Sequence, residues 1–449
     1  MNSIKLFNTL SGQKEEFKPL RPGEAGMYQC GPTVYDTAHI GNLRTYIGND
    51  ILRRVLEWNG YKVAQVMNFT DVDDKTIKKS RIEGIPLKDL AKKYEDLFMA
   101  DLESLNILRP HKLLRATLHI GEMVKMIESL IDKGVAYKTA DGIYMSIAKV
   151  KNYGDLAGVH LGAEIKERIK NDEYEKEDAR DFALWKFWTE DDGENFWEAP
   201  FGKGRPGWHI ECSAMAVSAL GETIDIHTGA IDLIFPHHTN EIAQSEESTG
   251  KPFVRYWVHF GFMNVSGDKM AKSKGNFLKL ADLVSEEISP LSFRMWILGA
   301  HYKTSVNFSL EAVSGAQTAL KKLIEDIGEM PDGGKPDENY LKKFTEFIND
   351  DLNMPKALAL VWEILKDDKL SSESKKATIL EFDKVLGLAL AESAKIKIEI
   401  PEEIRKLAEE REIARKNKNW KKSDELRKEI EEKGFEIRDT ESGFIIKSV

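Results

Sequence analysis

The apolar positions near the N-terminus change period twice. Residues 27–30 form a short apolar run that ends at Gly31-Pro32, because proline cannot donate a hydrogen bond to a neighbouring strand. From Gly41 the apolar residues recur at helical spacing as far as Asn59-Gly60, and residues 61–69 return to a strand pattern. The segment therefore predicts two parallel strands joined by a helix in a right-handed crossover.

Four polar or reactive residues lie at the ends of these predicted strands. Cys30 and His39 follow the first strand, and Thr70 and Asp71 follow the second. Open α/β sheets bind their ligands beyond the carboxyl ends of the strands. The pattern therefore predicts a ligand site at this edge of the sheet.

The later part of the chain mixes helical and strand patterns and then becomes helical. Residues 85–107 have a helical period, and residues 111–205 change in character and include a predicted hairpin at Asp141-Gly142. Residues 254–260 predict another strand, and the pattern from 308 to about 395 is helical. At 449 residues the chain is too long for a single core, and roughly two to four domains are expected.

Composition and charge exclude several classes of protein. With 41% hydrophobic and 31% charged residues, the chain is typical of globular proteins. It has no apolar run near the roughly 20 residues of a membrane span, and its N-terminus lacks the apolar core of a signal peptide, so we expect a cytoplasmic protein with no membrane partner. The net charge of −10 argues against a general nucleic-acid coat.

One local stretch is basic despite the acidic total. Residues 411–428 hold eight Lys or Arg against three acidic residues, with Trp420 among them. A solvated helix face and a nucleic-acid contact both fit this pattern.

The chain has two cysteines, Cys30 and Cys212. Thiols in a large cytosolic protein are typically ligands, nucleophiles or core residues. A helix predicted to begin at Pro236 places Glu241 four residues after His237 and three after His238, so spacing alone leaves both histidines open. Thiolate, imidazole and carboxylate together fit zinc.

Three further segments carry charge or glycine. Residues 68–75 crowd three aspartates, which fit either a magnesium or phosphate site or the cap of the next helix. Residues 202–212 predict a glycine-rich loop that leads to the second thiol. The segment KMAKSKGNF, from residue 269 to residue 277, fits either a loop that closes over a polyphosphate or a solvated basic turn.

Two short motifs carry a family resemblance. HIGN at 39–42 resembles the HIGH motif of class I aminoacyl-tRNA synthetases, and KMAKS at 269–273 resembles their KMSKS motif, about 230 residues later. The longer stretches resemble the cysteinyl-tRNA synthetase family over nearly the whole chain; they are CGPTVYDTAHIG, NFTDVDDK, GRPGWHIECSAM, DIHTGAIDLIFPHHTNEIAQSE and KMAKSKGNF.

The resemblance implies an α/β fold, with a Rossmann-type parallel-sheet catalytic domain, an inserted subdomain, a helical bundle and a small C-terminal α+β module. The domain ranges that it implies are 1–110 and 206–260 for the catalytic halves, 111–205 for the insertion, 261–307 for a stem region, 308–396 for the bundle and 397–449 for an anticodon-binding module.

The resemblance also implies roles for single residues. The zinc ligands, for one ion per chain, are Cys30, Cys212, His237 and Glu241. The residues near the substrate cysteine are Gly31, Thr70, Trp208, His227 and Asp232. The catalytic residues are His39, Asn42, Lys269 and Lys272, and these four bind ATP together with Gly41.

Three departures from the family pattern stand out. Asn42 replaces the second histidine of HIGH, and Ala271 replaces the first serine of KMSKS. Asparagine can still donate a hydrogen bond to an oxygen of ATP, and the lysines beside Ala271 are intact, so we expect catalysis to survive. Near the C-terminus, residues 444–446 replace the usual Thr-x-Trp.

The implied function is ligation of cysteine to tRNA. The carboxylate of L-cysteine attacks magnesium-bound ATP, and the resulting cysteinyl-adenylate passes its acyl group to the 3′-terminal adenosine of tRNA(Cys), while zinc selects the thiol. The expected tRNA contacts are Arg415, Lys416, Trp420 and Lys421, and a monomer is expected. Two alternatives are an ATP-dependent cysteine ligase with an amino-sugar acceptor and a non-catalytic tRNA-binding paralogue.

Overall fold

The computed structural model describes residues 3–158, 181–265, 268–269, 277–395, 401–440 and 443–448. The chain divides into two compact units, Met1–Leu390 and Ala391–Val449. The finer domain boundaries that the sequence suggests stay predictions. No helix among the described residues is long and apolar enough to cross a membrane.

The first unit contains strands β1–β14 and helices α1–α12. The strands are β1 (Lys5–Asn8), β2 (Gln13–Glu16), β3 (Glu24–Gln29), β4 (Lys62–Phe69), β5 (Lys112–Arg115), β6 (Ala136–Lys138), β7 (Gly142–Met145), β8 (Phe182–Phe187), β9 (Gly204–Pro206), β10 (Ile224–Ala230), β11 (Val254–Phe260), β12 (Met263–Val265), β13 (Asp268–Lys269) and β14 (Val306–Phe308). The helices are α1 (Ile40–Trp58), α2 (Asp74–Glu83), α3 (Leu87–Ser104), α4 (Ile120–Asp132), α5 (Trp208–Leu220), α6 (Thr239–Thr249), α7 (Leu280–Ser285), α8 (Pro290–Leu298), α9 (Leu310–Glu329), α10 (Glu338–Asn349), α11 (Met354–Lys366) and α12 (Ser372–Leu386).

A five-stranded parallel sheet organises this unit. Its order is β11-β10-β3-β4-β5, so β4 and β5 lie on one side of β3 and β10 and β11 lie on the other. The direction in which strands are added reverses between β3 and β10, and such a switch point is where open α/β sheets bind ligands. The predicted Rossmann-type architecture is confirmed.

The helix between β3 and β4 is the one that its apolar period predicts. Residues 40–58 form α1, within one residue of the predicted bounds. Its apolar stripe is fully buried; the stripe consists of Leu43, Ile47, Ile51, Leu52, Val55 and Leu56. Burial of this stripe against the sheet explains why the segment is helical, because most helix stability in proteins comes from packing of an apolar face.

Two buried charged residues of α1, Arg44 and Asp50, fasten the helix to later parts of the unit. The guanidinium of Arg44 donates a hydrogen bond to the carbonyl oxygen of Gly261 at 2.8 Å and also contacts the carbonyl of Phe262, just before β12. Asp50 accepts hydrogen bonds from Arg294 at 2.6 Å and from Arg54 at 2.8 Å. The helix that begins at the ligand edge is therefore held at fixed positions along its length.

One of two local predictions near the second thiol is wrong in detail. Residues 204–206 form strand β9, and α5 begins at Trp208, where the sequence predicted a glycine-rich loop. A Cβ on Gly207 would lie 2.0 Å from the carbonyl oxygen of Ala183, so glycine serves close approach to β8 here. The helix predicted to begin at Pro236 is confirmed: Phe235, the residue before the proline, is extended with φ −135° and ψ 130°, and helical structure continues from Pro236 through a π-helical turn into α6.

The predicted insertion contains a four-stranded antiparallel sheet of order β6-β7-β8-β9. The predicted hairpin at Asp141-Gly142 is confirmed, since β6 pairs with β7 across this turn. The charged run at 164–181 lies almost entirely outside the described residues. After β11, strands β13-β12-β14 form a small sheet, and α8 to α12 follow as the predicted helical region.

A short helix, α13 (Leu390–Ser393), lies where the two units divide. The second unit contains α14 (Glu402–Lys416), α15 (Trp420–Glu432) and an antiparallel hairpin of β15 (Phe435–Thr440) and β16 (Gly443–Ser448). Its core is small, and its buried apolar members are Ile404, Ala408, Ile430 and Ile437.

Candidate active site and metal centre

A cleft of about 410 Å³ opens at the carboxyl ends of β3 and β10. Its wall is formed by the loop after β3, the starts of α1, α2 and α5, and the end of β10. The predicted site residues that line it are Cys30, Gly31, His39, Asn42, Trp208 and Asp232. Residues from both halves of the sheet therefore meet at the switch point.

The start of α1 forms one side of this cleft. His39 is the N-cap, and its Nδ1 accepts a hydrogen bond from the backbone N–H of Asn42 at 3.1 Å. The Oδ1 of Asn42 accepts in return from the backbone N–H of His39 at 3.3 Å. This reciprocal cap fixes both residues, with Gly41 between them, at the end of a helix where the dipole favours anions.

Two thiols, an imidazole and a carboxylate meet at the inner end of the cleft. The Sγ atoms of Cys30 and Cys212 are 3.7 Å apart, Cys30 Sγ is 3.7 Å from Glu241 Oε1, and His237 Nε2 is 3.1 Å from the same oxygen. One ligand atom from each of these four residues lies within 4.8 Å of the others. Both cysteines are free thiols. The sequence prediction of these four residues thus falls on a single cluster.

Burial sets the protonation of this cluster. Burial raises the pKa of Cys30 well above its usual value, and the neighbouring Cys212 and Glu241 raise it further. Burial lowers the pKa of His237 well below its usual value, so this imidazole stays neutral. Neutral imidazole is the form that ligates a metal, and a bound cation displaces the proton of a thiol.

A second set of possible ligands shares two residues with the first. It consists of Cys30, His227, His238 and Glu241, whose ligand atoms also lie within 4.8 Å of one another. His238 Nε2 is 3.5 Å from Cys30 Sγ, and His227 Nε2 is 2.9 Å from Glu241 Oε2. The distances allow either set of four residues to bind a metal ion, just as the sequence spacing from Glu241 allows either His237 or His238 as a ligand.

The remaining nitrogens of these histidines contact other side chains. Nδ1 of His237 is 2.8 Å from Nδ1 of His209, and Nδ1 of His238 is 2.8 Å from Nε2 of His259. Contacts of this kind orient metal-ligating imidazoles. His209 and His259 were missed by the sequence analysis, because no short-range spacing connects them to the cluster.

The residues predicted to contact the substrate cysteine fall in two layers. Gly31 lines the cleft, and a Cβ there would lie 1.5 Å from the carbonyl oxygen of Asn68, so no other residue fits. Trp208 is 43% exposed and stacks on His237 at 4.2 Å between ring centroids. Thr70 is buried and donates a hydrogen bond to Glu211 Oε2 at 2.8 Å.

The other two members of this group also differ in position. His227 is buried beneath the cleft against Glu241, whereas Asp232 lines the cleft beyond the end of β10. The structure thus brings Gly31, Trp208 and Asp232 to the cleft surface and keeps Thr70 and His227 below it.

The KMSKS-like segment is described only at its edges. Lys269 pairs through its backbone with Asn264 of β12, and Lys272 and Ala271 lie outside the described residues. On the far side of the segment, Phe277 packs its ring edge-on against His39 at 5.1 Å.

The three aspartates after β4 serve different partners. Asp71 accepts a hydrogen bond from Thr117 Oγ1 at 2.5 Å, and Asp73 caps α2 by accepting from the backbone N–H of Thr76 at 2.8 Å. Asp74 pairs with Lys186 at 2.8 Å and with Arg205. The cap interpretation is therefore confirmed for Asp73. Lys75, in the same stretch, lines the cleft. The sequence analysis did not identify it as a site residue, because it considered only the three aspartates of the stretch as candidates.

The basic residues of the second unit are partly engaged within that unit. Arg415 lies 2.7 Å from Asp439 and 3.0 Å from Glu412, and Lys416 lies 3.6 Å from Glu412. Trp420 is 60% exposed at the start of α15, and Lys421 next to it is also exposed. Of the predicted tRNA contacts, Lys416, Trp420 and Lys421 are thus exposed, and Arg415 is the most engaged within the unit.

Solved structures share this fold. Mycobacterium tuberculosis methionyl-tRNA synthetase in complex with methionyl-adenylate has a TM-score of 0.57, 15% identity, and covers 83% of this chain and 91% of its own. The LeuRS–tRNA–LeuAMS complex of Agrobacterium radiobacter has a TM-score of 0.60, 10% identity, and covers 84% and 85%. These identities show the fold alone. Residues 16–318 match the family model described as the catalytic domain of class I (C) tRNA synthetases, which defines the class.

More similar proteins narrow the class. Residues 398–444 match the family model described as the cysteinyl-tRNA ligase anticodon binding domain. The cysteine–tRNA ligase of Brachyspira hyodysenteriae is 43% identical over 468 residues, and that of Chlamydia muridarum is 43% identical over 477, each covering 99% of both chains. This chain belongs to the cysteine–tRNA ligase family.

Proposed function

We propose that this chain charges tRNA(Cys) with cysteine. It activates L-cysteine with ATP to cysteinyl-adenylate and transfers the cysteinyl group to the 3′-terminal adenosine of the tRNA. One observation supports this most strongly: a buried cluster of two thiols, an imidazole and a carboxylate lies in the same cleft as the capped start of α1. The cluster offers a way to recognise a thiol, and the helix start offers a way to hold an anion.

In this proposal Cys30, Cys212, His237 and Glu241 hold one zinc ion. The donor types fit zinc, and this set uses both thiols of the chain, which the alternative set does not. When bound, zinc supplies a Lewis-acid site that accepts a thiolate in preference to a neutral hydroxyl. Selection of cysteine over serine then needs no separate editing site.

The chain's own residues bind and orient the reactants. Gly31, Trp208 and Asp232 bind cysteine from the cleft surface, and Thr70 and His227 support this pocket from below. His39, Gly41 and Asn42 meet the triphosphate of magnesium-bound ATP. Lys269 and Lys272 stabilise the charge that develops on pyrophosphate. In the activation step the attacking group is already a carboxylate, so positioning and charge stabilisation suffice and no base has to remove a proton. In the transfer step a hydroxyl of the terminal adenosine attacks the acyl carbon, AMP leaves, and the phosphate of AMP can take up the hydroxyl proton.

The second unit contributes tRNA binding in this proposal. Arg415, Lys416 and Lys421 contact phosphates, and Trp420 stacks on an unpaired base. We further propose that the protein acts as a cytoplasmic monomer. Light scattering on the purified chain, with and without tRNA, measures the oligomeric state directly.

Acylation of a bulk tRNA pool tests the function. The zinc-loaded chain is mixed with magnesium, ATP and labelled cysteine, and parallel reactions contain labelled serine or an amino-sugar acceptor. Label on tRNA from cysteine alone supports the proposal. Label on the amino sugar alone would assign the chain to an amino-sugar ligase, and no product with either acceptor would favour a non-catalytic paralogue.

A matched pair of variants tests the ligand set. His237→Ala should lower the zinc content of the purified chain, whereas His238→Ala should keep one zinc per chain, with affinity weakened by about 10- to 100-fold as for supporting residues. Zinc content is read by mass spectrometry and affinity by competition with a chelator. The reverse result would favour the set that contains His227 and His238.

A further inference from the structure

We propose that Lys75 binds a phosphate group of a substrate in the cleft, an inference that rests on the proposed function. Among the described residues that line the cleft, Lys75 is the only lysine or arginine. ATP and the tRNA terminus both bring phosphate oxygens to the reaction, and a lysine ammonium binds such oxygens as a point charge.

The backbone at Lys75 is held in a defined position. Asp73 and Thr76 form a reciprocal cap, with the Asp73 N–H donating to Thr76 Oγ1 at 2.7 Å, so Lys75 is fixed in the first turn of α2. Just before it, the Thr70 N–H donates to the Pro32 carbonyl at 3.2 Å, and the Val34 N–H donates to the Thr70 carbonyl at 3.1 Å. The loop after β3 and the start of α2 therefore form one continuous wall.

The side chain of Lys75 extends along this wall. Its Nζ lies 5.7 Å from the centroid of the Tyr35 ring, within the range of a cation–π contact, and Tyr35 also lines the cleft. Lys75 is exposed, and no ion pair to it occurs among the described residues. Of the adjacent acids, Asp73 caps α2 and interacts electrostatically with Lys75 without forming an ion pair with it, and Asp74 pairs with Lys186 and Arg205. The ammonium charge is therefore available to a ligand.

Lys75 does not stabilise α2 through the helix dipole. The N-terminus of a helix carries partial positive charge, so a cation in the first turn is unfavourable to the helix. Replacing Lys75 with a neutral residue removes this unfavourable interaction together with the cation–π contact to Tyr35, and the two losses oppose each other, so the melting temperature should change little. A loss of ligand binding in such a variant cannot then be attributed to unfolding.

The test measures binding of two phosphate sources to the full-length, zinc-loaded chain. The variant is Lys75→Met and its matched control is Lys78→Met, which removes an exposed lysine of the same helix that lies outside the cleft lining. Lys75→Arg keeps the charge. One arm titrates magnesium–ATP at equilibrium, and the other titrates the tRNA pool at several salt concentrations.

Lys75→Met should weaken binding in one arm by about 10- to 100-fold, the effect of losing a charged hydrogen bond, while Lys75→Arg should recover most of it. A loss in the ATP arm identifies the triphosphate as the ligand. A loss in the tRNA arm, with the slope of log affinity against log salt reduced by about 0.7, identifies a phosphate of the single-stranded tRNA end.

If Lys75→Met binds both ligands as Lys78→Met does, the proposal is wrong. The proposed function is tested separately by cysteine-dependent pyrophosphate exchange in the unmodified chain. Failure of exchange with intact, Lys75-dependent ATP binding would overturn the proposed function and leave the phosphate site standing.

Discussion

The cleft of the first unit and the basic face of the second are built in opposite ways. In the cleft, Cys212, His237 and Glu241 are fully buried and contact one another or a shared neighbour. In the second unit, Trp420 and Lys421 project from one helix. Buried groups share partners, so removal of one changes the others, whereas exposed groups contribute nearly independently. Coupling within a site therefore follows burial more than the number of charges.

Loss of a buried thiol is the strongest test of this difference. Cys212→Ser should remove zinc and lower kcat/KM for cysteine in pyrophosphate exchange by about 10⁴-fold. Sites built to pair with one polar group of a substrate lose about this much when that pairing is lost. Zinc is measured in the same preparation by mass spectrometry.

The double variant Cys30→Ser/Cys212→Ser is the control for coupling. It should be no worse than either single variant, because the ion is already lost. Loss of zinc with intact selection of cysteine over serine would contradict the role that we assign to the metal.

The same contrast between buried and exposed groups can be tested on protein stability, with one buried and one more exposed carboxylate of α1. Asp50→Asn should lower the free energy of unfolding of the first unit by about 3–5 kcal/mol, because it removes the carboxylate that pairs directly with the buried Arg294 and Arg54. The control is Glu57→Gln on the same helix, which breaks a more exposed pair with Arg53 and should cost about 1 kcal/mol or less. Urea unfolding of both variants measures the difference, and equal costs would remove the distinction.

On the basic face, single changes should have smaller and separable effects. Trp420→Ala should weaken tRNA binding by about 1–3 kcal/mol if the ring stacks on a base, and Lys421→Met should weaken it less. The two losses should add in the double variant. Binding of the tRNA pool measures all three, and pyrophosphate exchange without tRNA should not change. Strong non-additivity would show that this face is coupled as the cleft is.

The smallest effect concerns pH. The hydrogen bond from Arg411 lowers the pKa of Asp439 despite partial burial, and the charges of Arg415 and Arg427 lower it further. This contribution to stability is present above the unfolded pKa of about 4 and is lost as pH falls through the lower folded pKa. It should amount to about 1 kcal/mol or less. The measurement is amide hydrogen exchange of residues 402–432 in the unmodified chain and in Asp439→Asn. The protection against exchange should be equal in the two proteins at low pH and greater in the unmodified chain above a pH of about 4.

Sequence periodicity and motifs predict much of the cleft. The period of residues 41–59 identifies α1, and two thiols with His237 and Glu241 identify a cluster whose ligand atoms do meet. The individual ligand assignments stay predictions. Short-range patterns succeed here because strand ends and helix starts bring their residues to one edge of the sheet.

Long-range partners could not be predicted from the same patterns. Arg411 is counted as a free basic residue in the sequence, but it is 3% exposed and pairs with Asp439, which lies 28 residues later. Arg44 has only backbone carbonyls as described partners, and these carry no residue-type signal at all. Such contacts depend on tertiary packing, so the sequence shows that a residue is charged but does not show which groups it contacts.

The reciprocal cap between His39 and Asn42 has a consequence for the chemistry of the imidazole. Because Nδ1 accepts the Asn42 N–H, the neutral ring must carry its hydrogen on Nε2. The protein thereby selects one tautomer and presents His39 as a hydrogen-bond donor. At residue 42, where this chain departs from HIGH, the backbone N–H sets that choice, and the side chain of Asn42 holds the cap in place by accepting from the backbone N–H of His39.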